Sequence, residues 1–169
     1  MDLYVIRHAI AQPIGSKNDF TDEKRKLTAQ GRDLMREAAR GLRQLGVQFD
    51  LILTSPLARA VETAEVTAEA LGLDDKLIEQ TLNLAPGASF TDLLVEIKRH
   101  NGVESIALVG HQPDLGALIS TLVWGDGRVS MPLKKGSTCC INVIETVPVV
   151  RGSLAWLLTP RQLRLLGKA

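Results

Sequence analysis

Cysteine is nearly missing: the 169 residues hold two, the neighbours Cys139 and Cys140. Adjacent positions on a strand point to opposite faces, and the pair matches neither a metal-ligand spacing nor a redox pair, so both read as reduced packing residues. Charge of one sign is also lacking, because 20 Lys plus Arg face 19 Asp plus Glu for a formal net charge of +1. A chain so balanced has no general attraction to nucleic acid or an anionic membrane surface, and any anion binding has to be local. No apolar run approaches the roughly 20 residues of a membrane-spanning helix, and Asp2 and Arg7 flank a start too short for a secretory signal. The cytoplasm is therefore the expected compartment. Repeats, low-complexity runs and Pro/Gly-rich linkers are absent as well, which leaves one domain over residues 1–169 as the expectation.

What is present is a core-forming balance of 45% hydrophobic and 23% charged residues, typical of a globular chain. Residues 2–6 (DLYVI), 50–54 (DLILT) and 105–109 (SIALV) are short apolar runs of the kind that make buried strands. Helices are expected between them. Thr28 caps one in which Leu34, Met35, Ala38, Leu42 and Leu45 recur at three-to-four spacing, with Gly46 suited to a left-handed exit. Ser55 and Pro56 supply an N-cap and first helical residue for a second, ending at Gly72. A third fits Ser89 to His100, and a fourth begins at Pro113. Residues 137–147 and 153–158 are strand-like, and 161–166 have an amphipathic spacing that can dock. The alternation predicts an α/β fold in three layers: a mostly parallel central sheet, helices on both faces, and the two late strands as candidates for an antiparallel edge.

Each of the three apolar strands ends in an unusual polar set: Arg7-His8, then Ser55 and Arg59, then His111. In an open α/β sheet, ligands bind beyond the carboxyl ends of the strands, so these residues can converge. Two guanidinium forks beside a helix N-terminus suit a tetrahedral dianion, best phosphate, and two imidazoles allow one to attack phosphorus through a neutral ring nitrogen. His8 is placed to attack. No metal or cofactor is required by this chemistry.

At these residues the sequence resembles the histidine phosphatase superfamily, also called phosphoglycerate mutase-like, and most nearly its small SixA-type protein phosphohistidine phosphatases. LYVIRHA, LTAQGR, LILTSPLARAVETAE and LVGHQPDL match the family's motifs in order and spacing. The resemblance implies His8 as the phosphorylated nucleophile, Arg7 and Arg59 on the phosphoryl oxygens, and His111 completing the pocket; Ser55, read as a helix cap from its own position, is a further phosphate-contact candidate. It implies a phosphohistidine-bearing signalling protein as substrate. Small phosphate esters, or binding without turnover, are the alternatives. Mutase-like relatives carry an acidic proton donor after the second arginine motif, where this chain reads LNLAPGAS. Asp19, Asp22 and Glu23 are the remaining donor candidates, although a phosphorylated imidazole leaves more easily than an alkoxide and needs such an acid less.

Taken singly, these residues have blander readings. Arg59 could pair with Glu62 at helical spacing, Arg7 could snorkel over the sheet edge, and His100 complements a helix C-terminus. The basic stretches Lys24-Arg25-Lys26 and Lys134-Lys135 read as solvated charge, and Trp124 and Trp156 as packing residues.

Overall fold

Six strands form one sheet in the order β3-β2-β4-β1-β5-β6 in the computed structural model, which describes residues 1–15, 21–100, 102–145 and 151–168. The strands are β1 (Asp2–Arg7), β2 (Leu51–Thr54), β3 (Ile78–Gln80), β4 (Ser105–Gly110), β5 (Thr138–Glu145) and β6 (Arg151–Leu158). The first four run parallel, and β5 and β6 add antiparallel neighbours on the β1 side. The mixed sheet with a late antiparallel edge is the arrangement expected from the sequence. Strand β3 is an addition to it. Two of its three residues are exposed, so its apolar pattern is too brief to register, and only Ile78 packs against the core beside its backbone pairing with β2.

Both faces of the sheet are covered. Helices α1 (Ala29–Gln44), α2 (Ala58–Leu71) and α5 (Pro160–Leu166) bury Met35, Leu42, Ala60, Ala64 and Leu163 against Tyr4, Ile6, Ile52 and Cys140. Helices α3 (Phe90–Arg99) and α4 (Asp114–Trp124) bury Leu93, Ile97, Leu118 and Ile119 against Leu3, Val5, Leu53 and Cys139. Alternation along β1 and β5 thus sends successive side chains into opposite cores, the two free thiols included. The amphipathic tail docks as α5 upon α1. Their approach is so close that a Cβ on Gly41 would stand 2.0 Å from the Leu163 carbonyl oxygen.

Three local expectations are corrected. Helix α2 starts at Ala58 with Leu57 at the cap, two residues past the expected start, so Ser55 is not its N-cap. Helix α4 starts at Asp114, with Pro113 in the cap position. Trp124 is 59% exposed rather than packed, since α4 ends there and Gly125 turns the chain away in a left-handed conformation. Trp156 does pack, its ring 5.9 Å from that of Tyr4.

Candidate active site

Ladder register does the work of convergence. Arg7 at the end of β1 lies opposite Gly110 at the end of β4, and Thr54 at the end of β2 lies opposite Val109. The next residues, His8, His111 and Ser55, therefore leave three adjacent strands at nearly one level. Two further backbone bonds hold that level, His8 N–H to the Gly110 carbonyl at 3.0 Å and Ser55 N–H to the Val109 carbonyl at 2.9 Å. Arg59 reaches the same place from the first turn of α2, one residue into the helix.

The side chains meet there, buried. His8, Arg59 and His111 are only 4–6% exposed, and the two imidazole centroids are 5.2 Å apart. His8 is held by Nδ1 at 2.7 Å from the Ala9 carbonyl oxygen. A carbonyl can only accept, so Nδ1 carries the proton and Nε2 keeps its lone pair. Burial pushes the His8 pKa down to about 3; the Ala9 bond opposes this, and His111, Arg59 and Arg7 add to it. Burial likewise pushes His111 down to about 4, with the Arg59 charge next in effect. Both rings are neutral near pH 7.

His111 Nε2 lies 2.8 Å from Ser55 Oγ, and Ser55 Oγ also accepts from Leu57 N–H at 3.4 Å. Ser55 is thus an anchor for His111 rather than a helix cap. Arg7 donates through one terminal nitrogen to the Leu133 carbonyl, while Arg59 donates to the Asp22 carbonyl at 2.8 Å and to Asp22 Oδ2 at 3.0 Å. Neither bland alternative holds. Glu62 pairs with Arg32 at 2.9 Å instead of Arg59, and Arg7 is turned to the Leu133 loop. Among buried side-chain polar atoms of the described residues, Arg7 Nε, Arg59 Nε and His111 Nδ1 have no hydrogen-bond partner. Three potential donors on three converging residues are left for an anion to satisfy.

Two supporting residues escaped sequence reasoning. Thr63 Oγ accepts from Ala9 N–H at 3.0 Å and donates to the Arg59 carbonyl at 2.6 Å, tying the segment after His8 to the helix that carries Arg59. The i+4 spacing to Arg59 was the only available signal. Arg25, read as solvated, instead donates from Nε to Asp22 Oδ1 at 2.8 Å and from a terminal nitrogen to the Gln12 carbonyl at 2.7 Å. Burial works against the Asp22 anion, but the bond from Arg25 and the Arg59 and Arg25 charges outweigh it and hold its pKa below the ordinary value. Asp22 is thus an ionised brace for Arg59, a poor proton donor. Among the described residues Glu23 makes no hydrogen bond in the site, and Asp19 lies outside them. His100 caps the end of α3 away from this cluster.

Among the described residues no group of three or more His, Cys, Asp or Glu is arranged to hold a metal ion, and no helix is long and apolar enough to cross a membrane.

Residues 3–96 match the family model for the histidine phosphatase superfamily, branch 1. The chain is 37% identical over 139 residues to an uncharacterised protein of Picosynechococcus, covering 80% of this chain and 81% of the other. It is 25% identical over 167 residues to the phosphohistidine phosphatase SixA of Escherichia coli K12, covering 98% of each. A solved structure of the protein histidine phosphatase SixA with tungstate superposes with a TM-score of 0.83 at 25% identity, over 96% of this chain and 99% of that one.

Proposed function

This chain belongs to branch 1 of the histidine phosphatase superfamily, and we propose that it removes the phosphoryl group from phosphohistidine on a protein, through a covalent intermediate on His8, with residues 1–169 acting as one such domain. The observation that carries the reading is the neutral His8 ring, its Nδ1 proton committed to the Ala9 carbonyl so that the Nε2 lone pair is the one available to phosphorus. In the first step an Nε2–P bond forms and the P–N bond to the substrate imidazole breaks, the departing ring taking a proton from solvent. In the second, a water oxygen attacks phosphorus, the P–Nε2 bond breaks, and the water proton leaves with orthophosphate or to solvent.

Arg7 and Arg59 offset the charge on the equatorial oxygens through their unpartnered donors. With Leu57 N–H already on Ser55 Oγ, the serine hydroxyl is free to donate to His111 Nε2. That leaves the His111 proton on Nδ1, as a further donor to the phosphoryl group. The SixA relative is solved in complex with tungstate, a tetrahedral phosphate analogue, which supports phosphate binding by this fold.

Incubation with a 32P-phosphohistidine protein and rapid acid-free quenching should give orthophosphate and a labelled enzyme, and both should vanish in His8→Ala. Turnover confined to phosphate esters would reject the substrate class. Phosphate binding without label or turnover would reject the enzyme itself.

A further inference from the structure

Beside His111 the molecule has a cavity of about 130 Å³ between the turn after β3 and the start of α4. That is well below the roughly 300 Å³ at which pockets begin to take whole drug-sized ligands, so it admits one side chain rather than a second substrate. Its walls are largely apolar, including Leu84, Phe90, Leu93 and Leu118, and among the described residues one formally charged side chain lines it, that of Asp114. The other titratable group in the lining is His111, which is neutral.

Asp114 is only partly committed. Its Oδ2 accepts from Gly87 N–H at 2.9 Å, which closes the loop of residues 85–88 over the cavity, and Oδ1 has no hydrogen-bond partner among the described residues. A carboxylate in the first turn of α4 also complements the helix dipole. That accounts for an acid at the position without accounting for the apolar walls it faces.

We infer that this cavity is a specificity subsite for a lysine or arginine side chain carried by the substrate protein next to its phosphohistidine. The inference rests on the phosphohistidine reading above. An apolar stem with a cationic head fits apolar walls with one carboxylate, by the same division that lets such side chains lie along hydrophobic surface with the charge at its edge. The position follows from continuity. The cavity opens on His111, which borders the phosphoryl seat, so a residue neighbouring the departing imidazole is the first part of the substrate to reach it. A glutamate in the same place would meet the Asp114 charge and be disfavoured.

The test uses a phosphohistidine peptide series, identical except for Lys, norleucine or Glu beside the phosphohistidine, together with free phosphohistidine, assayed on the full chain. The wild type should prefer Lys over norleucine by about two- to fivefold in kcat/KM, as a partly exposed ion pair allows, with Glu last. Asp114→Asn keeps an acceptor for Gly87 while removing the charge, so within that variant the Lys-to-norleucine ratio should fall to about one. The ratio is internal to each enzyme and is unaffected by a general loss of activity. Equal wild-type rates on Lys and norleucine peptides, or a Lys preference that survives Asp114→Asn, overturns the subsite. No turnover of free phosphohistidine or any peptide overturns the phosphohistidine reading and the subsite with it, an outcome distinct from the other two.

Discussion

The rings of His8 and His111 stand 5.2 Å apart with their planes tilted by 51°, two buried neutral imidazoles within the electrostatic reach of the Arg7 and Arg59 guanidinium groups. Such a cluster is costly to build without an anion, because each cation opposes protonation of the rings while burial weakens the charged forms of both arginines.

Stability should fall as the pH drops. Both histidines have folded pKa values, about 3 and about 4, below the ordinary 6.5. The unfolded chain therefore binds more protons below pH 6.5, and the stability present above that value is lost as pH falls toward the folded values, by about 1.4 kcal/mol per pH unit for each imidazole. Urea unfolding from pH 7.5 to 5 should show this decline, and a His8→Asn, His111→Asn double variant should lack it. An unchanged midpoint in the wild type across that window contradicts burial of neutral rings.

Removal of the Arg59 guanidinium in Arg59→Ala should lower kcat by about 10²- to 10³-fold, the range seen when a charge-stabilising donor is deleted. Asp22→Asn should cost about tenfold in kcat/KM by loosening the same side chain. Because Asp22 acts through Arg59, its effect should disappear in an Arg59→Ala background, a double-mutant cycle that separate roles would not close.

Thr63→Val keeps the shape of the side chain but removes the acceptor for the Ala9 N–H and the donor to the Arg59 carbonyl. A buried, unsatisfied amide costs about 1–3 kcal/mol, measurable as a lower urea midpoint, with a reduced kcat/KM alongside. Thr63→Ser should restore much of both. A variant as stable and active as the parent would show that the bridge is dispensable.

Gly31 sits where the first turn of α1 meets the segment beyond His8, and a Cβ there would stand 2.1 Å from the Ile10 carbonyl oxygen. Backbone cannot yield as a flexible side chain can. Gly31→Ala should destabilise by about 3 kcal/mol, the upper part of the overpacking range, read by chemical denaturation.

Much of this arrangement could be read in the sequence because apolar strands and their polar ends follow a simple period: Arg7, His8, Ser55, Arg59 and His111 all stand at or just past a strand end. The family motifs lie on the same residues. What stayed hidden depends on partners that no local pattern encodes. Asp22 and Arg25 look like ordinary loop charges until the loop folds back upon Arg59. Thr63 looks like one more polar residue of a helix until Ala9 docks on it. Ser55 has a sequence that suits a cap, yet Leu57 takes that position because the chain bends through Pro56 and Leu57 before α2 begins at Ala58. The Leu133 carbonyl on Arg7 carries no side-chain signature of any kind.

The alignment of Arg7 with Gly110 and of Thr54 with Val109 makes the chemistry indifferent to how far apart its members lie along the chain. Lengthening the surface connections between them leaves the constellation in place. One extra residue inside β1, β2 or β4 has the opposite effect: it turns every later side chain of that strand to the other face, and an imidazole or hydroxyl that met its neighbours would point into a hydrocarbon core.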